Sequence, residues 1–467
     1  MHWQLNMLLS DWIICALFFV VILFFFYSRK RRLLRDSMRQ LFQRKLAMIS
    51  AVILAFYVVA GLLDSVHFNV TTHADGSYPV TQIKSLLDLL VSPLGEQDER
   101  TYSAPFATHS YSMEFGPSNG QNVREYPSLM YGGAHLQPTM GRGGDILKRV
   151  VLGFVCASIS FLFMVIMGIV VVSIRYRQKF VFSVKRLFSG ETLWAWREGL
   201  ITFWVIWILI WIIGFLAAHY HIFGTNKVGG DVFYETLKSI RTGLLIGTLT
   251  SLFMLPFALF LGMLAGFFSG WIDDLIQYLY TTLSSIPGVL LIAASVLVMQ
   301  VFIANHAEHF STLAQRADAR LLALCFILGI TSWASLCRFL RGETLKLREQ
   351  EFVDAARVMG IGSWKILLRH IMPNVMHIVL ITMVLDFSGL VLAEAVLSYV
   401  GVGVDPTTFS WGNMINSSRL ELAREPIVWW PLLAALVFMF VLVLAANVFA
   451  DAVRDSLDPR LRETEGK

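Results

Sequence analysis

The segment Glu351-Phe352-Val353-Asp354-Ala355-Ala356-Arg357-Val358-Met359-Gly360-Ile361-Gly362-Ser363-Trp364-Lys365-Ile366-Leu367-Leu368-Arg369-His370-Ile371-Met372-Pro373-Asn374 is a polar interruption between apolar runs near 320–337 and 374–397. Wound as a helix, its first part sets Phe352, Ala355, Ala356 and Met359 at i, i+3, i+4 and i+7, a face of small and apolar side chains. Gly360 is expected to end that helix, a second short helix to begin near Ser363, and Pro373 to break it before the next apolar run. The product is a compact helical elbow projecting from a membrane. Read without comparison, its residues fit an interfacial amphipathic helix whose alanines serve only helix propensity, and they leave open whether the small face has another use.

The runs flanking the elbow belong to a series. A helix crosses a bilayer with about 20 apolar residues, and about nine runs meet that measure. They lie near 11–27, 46–65, 150–174, 199–218, 242–268, 287–304, 320–337, 374–397 and 428–450. With 56% of its 467 residues hydrophobic and 15% charged, the chain has the composition of a protein solvated by lipid. The expected fold is an all-α integral membrane protein, a polytopic helical bundle of about nine spans. The first run lacks a basic flank before it and a small-residue cleavage site after it, so it reads as an uncleaved helix with its N terminus outside.

Charge sets the orientation. Between the first two runs stand Arg29, Lys30, Arg31, Arg32, Arg35, Arg39, Arg44 and Lys45 against Asp36 alone, and 175–198 is also basic, so both are expected in the cytoplasm. The segment 66–147 carries Asp75, Asp88, Glu96, Asp98, Glu99, Glu114 and Glu125 against Lys84, Arg100, Arg124 and Arg142, and is expected outside. Alternation then places 338–373 and the tail with Arg454, Arg460 and Arg462 inside. The net charge of +5 therefore reports topology, and no nucleic acid partner is expected.

The domain organisation follows from these runs. Residues 1–65 form an N-terminal extension of two spans joined by a basic cytoplasmic loop, and 148–198 add one more span with its own basic loop. Between them 66–147 is rich in Gly, Ser, Pro and Asn, with one amphipathic stretch near Ile83–Leu94, and reads as a loosely structured external insertion. Residues 199–462 form a core of about six spans that contains the cytoplasmic loop 338–373.

Several chemistries are excluded or weak. No Gly-x4-Gly-Lys-Ser/Thr motif cradles nucleotide phosphates, and neither Gly-x-Ser-x-Gly nor His-Glu-x-x-His occurs. No catalytic, cofactor-binding or metal-binding residue is assigned. Cys15, Cys156, Cys325 and Cys337 lie in or beside apolar runs and read as packing residues. His306, Glu308 and His309 share a short external loop as incidental neighbours, and His73, His109 and His135 are far apart in sequence. Asp386 and Glu394 are costly inside an apolar run, so they face protein or water: either they line a pathway for a peptide amino group or they pack and cap helices. From other classes, a membrane-embedded enzyme lacks its motifs, and a receptor would need 66–147 to fold as a ligand-binding domain.

The elbow resembles the Glu-Ala-Ala loop of bacterial ABC-importer permeases, whose pattern continues with three residues, Gly, about ten residues and Ile-x-Leu-Pro. His221-Ile222-Phe223-Gly224-Thr225-Asn226-Lys227-Val228-Gly229-Gly230-Asp231-Val232 is similar to a landmark of the dipeptide and oligopeptide permeases among them. Further landmarks are Leu264-Ala265-Gly266, Ser269-Gly270-Trp271-Ile272-Asp273, Ser285-Ile286-Pro287-Gly288, Glu394-Ala395-Val396-Leu397-Ser398, Ser410-Trp411-Gly412-Asn413-Met414 and Asp451 to Arg462, all in order from about 199. The match is nearest to the second permease of the usual pair. Departures are Asp354 for Glu, Met372 for Leu, Ile222 for Pro and Gly230 for Arg; the first two keep charge and volume.

That resemblance implies a permease subunit that hydrolyses nothing itself and sits in a bacterial inner membrane. It implies as partners a second homologous permease, two ATPase subunits that carry ATP and Mg, an external substrate-binding protein and a peptide; nickel, glutathione or a peptide-like compound is the alternative cargo. The docking residues would be Phe352, Asp354, Ala355, Ala356, Met359, Gly360 and Pro373, with Asp354 pairing to a base on the ATPase and Gly360 admitting close backbone approach. Family members have about six spans, so 66–198 reads as an interruption of the usual lead into the first.

Overall fold

A computed structural model describes residues 2–5, 7–30, 32–72, 80–118, 121–136, 141–176, 194–306, 308 and 312–457. The basic stretch 177–193, His73, His309 and the tail from 458 lie outside the described residues. Apolar runs become helices because lipid offers no partner for a backbone N–H or C=O. In chain order the first elements are β1 (His2–Leu5), α1 (Leu9–Lys30), α2 (Arg32–Gln43), α3 (Lys45–Asp64), β2 (His67–Thr72), β3 (Val80–Ser85), α4 (Leu86–Leu90), α5 (Ser92–Gly95), β4 (Glu114–Ser118) and β5 (Gln121–Glu125). The long helices follow: α6 (Arg142–Tyr176), α7 (Trp196–Ala217), α8 (Val232–Phe268), α9 (Trp271–Ser285), α10 (Gly288–Asn305) and α11 (Leu313–Arg348). The chain ends with α12 (Glu351–Val358), α13 (Ser363–Ile366), α14 (Met372–Val400), α15 (Trp411–Ser418) and α16 (Trp430–Leu457).

Among the described residues, eight helical stretches are long and apolar enough to cross a membrane: α3, α6, α7, α8, α10, α11, the continuous α13–α14 rod and α16. The protein is an all-α polytopic membrane protein; among the described residues its strands are confined to the small sheets β1-β2-β3 and β4-β5. The ninth expected run, near 11–27, falls within the 22-residue helix α1.

Two boundaries differ from expectation. Residues 338–348, expected to open the cytoplasmic loop, continue α11 for three more turns because Arg341 and Arg348 find fixed partners there. Pro373 does not break the second elbow helix. Pro has no N–H and its ring clashes with the carbonyl four residues back; the chain widens into a π turn over Leu367–Ile371, and Asn374 Nδ2 donates to the His370 carbonyl at 2.7 Å.

The described chain forms two compact units. The first holds Met1–Met7, Ile14–Arg241 and Phe409–Ala452. Here Trp207 Nε1 donates to Ser160 Oγ across α6 and α7 at 2.9 Å, and Tyr57 OH of α3 donates to the Phe438 carbonyl of α16 at 2.8 Å. Buried Trp411 and Trp430 give their Nε1–H to the carbonyls of Thr236 and Thr225. The insertion packs at the end of α3 away from the basic loop. It is not loosely structured in its described part: Tyr102, Ser103 and Leu129 are buried, and Glu99, Ser103 and Phe106 bond backbone to backbone with residues 221–229. Gly224 and Gly229 of the facing segment admit that close main-chain contact, since a Cβ on either would meet the backbone of Ser103 or Glu99.

The second unit holds Leu8–Ile13, Thr242–Thr408 and Val453–Lys467. Its core joins Met254, Ala258 and Met263 of α8, Ile276 and Tyr280 of α9, Trp333, Cys337 and Leu340 of α11, and Val375 of α14. Gly262 and Gly266 let α8 lie directly on α11: a Cβ at 262 would stand 2.8 Å from the Cys337 carbonyl oxygen, and one at 266 would stand 2.6 Å from Thr344 Cβ. Small residues four apart serve this close approach where lipid supplies no hydrophobic drive. At the other end of α11, Ser10 N donates to Asp318 Oδ2 at 3.2 Å.

Candidate functional site

The elbow is built from α12, a left-handed Gly360, and α13. Arrest of α12 follows the double hydrogen-bond pattern of a glycine C-terminus: Gly360 N donates to the Arg357 carbonyl at 2.9 Å and Ile361 N to the Ala356 carbonyl at 3.1 Å. Gly360 has φ +73°, a conformation that costs a side chain about 1–2 kcal/mol. Nothing stands within 4 Å of where its Cβ would be. Conformation, rather than crowding, is what asks for glycine here.

The structure splits the expected docking face. Val353 and Ala356 are buried and belong to the core cluster with Leu340, Ile366 and Ile371, so Ala356 roots the elbow rather than meeting a partner. Phe352, Asp354, Ala355, Val358 and Met359 remain outside, with Val358 89% and Met359 71% exposed. Asp354 pairs along its own helix with Arg357 at 3.2 Å. Trp364 of α13 is set against the Phe260 ring at 6.4 Å and 16° and against Phe268 at 5.6 Å. Pro373 is exposed just beyond the π turn. The elbow thus presents an exposed apolar edge at Phe352, Val358 and Met359 and is packed into the core behind it through Val353 and Ala356.

Asp386 and Glu394 both lie on α14 and are not brought together in one site. Glu394 is 3% exposed and accepts a hydrogen bond from Ser398 Oγ at 2.7 Å, one turn on, while Asp386 is half-buried. His306, the residue that caps the end of α10, has Nδ1 2.9 Å from the Phe302 carbonyl.

Sequence reasoning missed two buried charge clusters in the first unit. His221 Nδ1 lies 2.7 Å from Asp231 Oδ2, and its Nε2 lies 3.5 Å from Glu99 Oε1. Glu99 also accepts the backbone N–H groups of Met130, Tyr131 and Gly132 at 2.8 to 3.1 Å. Burial works against both charges, yet the Asp231 and Glu99 contacts push His221 up to about 9, and the His221 contact with three amides holds Glu99 down at about 2. In the second cluster Lys238 Nζ meets Asp64 at 2.7 Å and Asp88 at 2.9 Å, and Tyr234 OH donates to Asp88 at 2.8 Å. Burial is outweighed there by Lys238 and the Ser85 N–H, which hold Asp88 below the usual carboxylate range. The available signals were a lysine just inside an apolar helix and His221 heading the Gly224–Gly229 motif.

Comparison with known proteins adds to this geometry. Residues 258–463 match the family described as binding-protein-dependent transport system inner membrane component. The oligopeptide transport system permease protein OppC of Mycobacterium tuberculosis is 32% identical over 242 residues, 52% of this chain and 77% of that protein. OppC of Bacillus subtilis is 30% identical over 243 residues, covering 52% and 73%. The glutathione transport system permease protein GsiD of Pectobacterium atrosepticum is 31% identical over 243 residues, with the same two shares.

Proposed function

Because the chain belongs to the family of binding-protein-dependent inner-membrane transport components that includes the oligopeptide and glutathione permeases, we propose that it forms half of the translocation pathway of an ATP-driven importer of di- or oligopeptides. It is a multi-pass inner-membrane protein and a transport subunit. The second half comes from a homologous permease, ATP and Mg²⁺ from two ATPase subunits, and cargo from an external binding protein. Closure of the ATPases on ATP drags the elbow, and the helices behind it switch the pathway between outward and inward openings.

The observation that supports this reading is the two-faced elbow. Val353 and Ala356 sink into the helix core while Phe352, Ala355, Val358 and Met359 stand free beside Asp354. A lever must be rooted on one side and offered on the other. Asp354 is the acid available to a base on the ATPase once its partner Arg357 turns away. Glutathione is the second cargo candidate, favoured by the GsiD relatives. Asp386 and Glu394 serve as pathway or packing groups of α14.

Uptake tests the reading: cells deprived of this chain and given it back should regain import of labelled tripeptides. Phe352→Glu with Met359→Glu should abolish that import with the protein still in the membrane at wild-type level. Undiminished import by the double variant would reject the elbow as the coupling surface.

A further inference from the structure

One charge pair in the second unit belongs to neither the docking edge nor the carboxylates of α14. Arg341, near the end of α11, directs Nε to Asp273 Oδ1 at 2.6 Å and Nη2 to Asp273 Oδ2 at 2.7 Å. Asp273 lies in the first turn of α9 and is 8% exposed. Two parallel bonds from a planar guanidinium fix orientation as well as distance, which a single-point ammonium does not.

The corner between α8 and α9 is gripped from other directions too. Arg348 Nη1 donates to Ser269 Oγ at 2.9 Å and to the Phe267 carbonyl at 3.3 Å. From the elbow, Arg357 stands over the Phe267 ring, 5.7 Å from its centroid, and Trp364 packs on Phe268. Within the corner Ser269 has φ 48° and Gly270 has φ 64°, left-handed backbone that persists where the surroundings over-determine it. Phe267, Ile276 and Tyr280 share one core cluster with Val353, Ala356 and Ile366.

We propose that the corner Phe267–Asp273 and the elbow move as one rigid body, and that the Arg341–Asp273 pair is the positioning contact that keeps α9 in step with the elbow. What drives the elbow rests on the permease reading; the rigidity of the body does not. The consequence is mechanical. One face of α9, with Asp273, Ile276 and Tyr280, is held inside, while Trp271, Leu275, Tyr278 and Leu279 face outward as an apolar blade. A pull on the elbow therefore swings that blade as well as α14.

The test places spin labels on Lys365→Cys, in the second elbow helix away from the offered edge, and Leu275→Cys, on the outer face of α9, with Cys15 and Cys156 changed to serine. Distances are read by double electron–electron resonance on the full chain with its co-purified partners. One narrow distance, the same with and without ATP, is expected. Asp273→Asn and Arg341→Lys should broaden it and lower peptide imported per ATP by about tenfold, with membrane level and ATPase recovery at wild type. The exchange pair Asp273→Arg with Arg341→Asp should narrow it again. A wild-type distance that shifts by several Å on adding ATP overturns the proposal, as do single variants with a narrow distance and full coupling. Should the variants not accumulate, the wild-type comparison decides alone. Should no ATPase accompany the wild type, the permease reading fails while the distances still judge the rigid body.

Discussion

Glu99 lies directly on the main chain of Gly229: its N–H donates to the Gly229 carbonyl at 3.0 Å, and its own carbonyl occupies the place where a Cβ on Gly229 would be. Gly229 has φ +86°, so a side chain there is excluded twice, by the backbone's hand and by the insertion. Glycine at 229 is thus the seat on which the Glu99 segment rests.

Gly229→Ala should therefore loosen the insertion. The left-handed strain alone costs about 1–2 kcal/mol, and displacement of Glu99 removes its bonds to Met130, Tyr131 and Gly132 as well. Limited proteolysis should show new cleavage within 96–136 while the spans stay protected; an unchanged digest would show that the seat is not needed.

The same junction depends on pH. His221, raised from 6.5 to about 9 by Asp231 and Glu99 against the effect of burial, contributes fully below about 6.5 and loses its contribution as pH rises through 9. Glu99, lowered from 4.5 to about 2, contributes above 4.5 and loses its contribution as pH falls through 2. Amide exchange at Met130–Gly132 should be slowest near pH 5 to 6, after correction for intrinsic rates, and should rise toward pH 9.5. The His221→Gln variant should flatten that rise.

Lys238→Met should be severe. It leaves Asp64 and Asp88, each largely buried, facing one another without their cation, and breaking such a group typically costs about 3–5 kcal/mol. Thermal unfolding in detergent should fall sharply for Lys238→Met and recover in part when Asp64→Asn and Asp88→Asn are added. Equal melting of single and triple variants would contradict the charge account.

The two neighbouring alanines of the elbow should behave oppositely. Ala356→Leu overpacks a site that is 1% exposed, at a cost of about 1–3 kcal/mol. Ala355→Leu, on the outer side, should leave stability alone and weaken only what the elbow binds. Melting curves beside partner recovery separate the two effects.

The spans were legible because about 20 apolar residues in a row have few other uses, and the arrest of α12 was legible because Gly360 supplies the one backbone state that closes a helix this way. Which of Ala355 and Ala356 faces inward was not legible: helical spacing groups Phe352, Ala355, Ala356 and Met359 without saying where the core lies. Val353, one turn before Ala356, marked it. Pro373 misled because a helix breaker can be absorbed where the chain widens into a π turn, as it does over Leu367–Ile371. The junction at Glu99 was hidden since its partners are main-chain amides 31 to 33 residues away, and no side-chain pattern records those.

The central claim is that the exposed edge of the elbow is gripped by ATPase subunits. Its most direct measurement is recovery of partners with the tagged full chain from membranes in mild detergent, wild type against Met359→Glu with Phe352→Glu. The account predicts a second permease and ATPases with the wild type, and the permease without the ATPases in the variant. ATPases that stay with the variant, or that never accompany the wild type even after crosslinking, would contradict it.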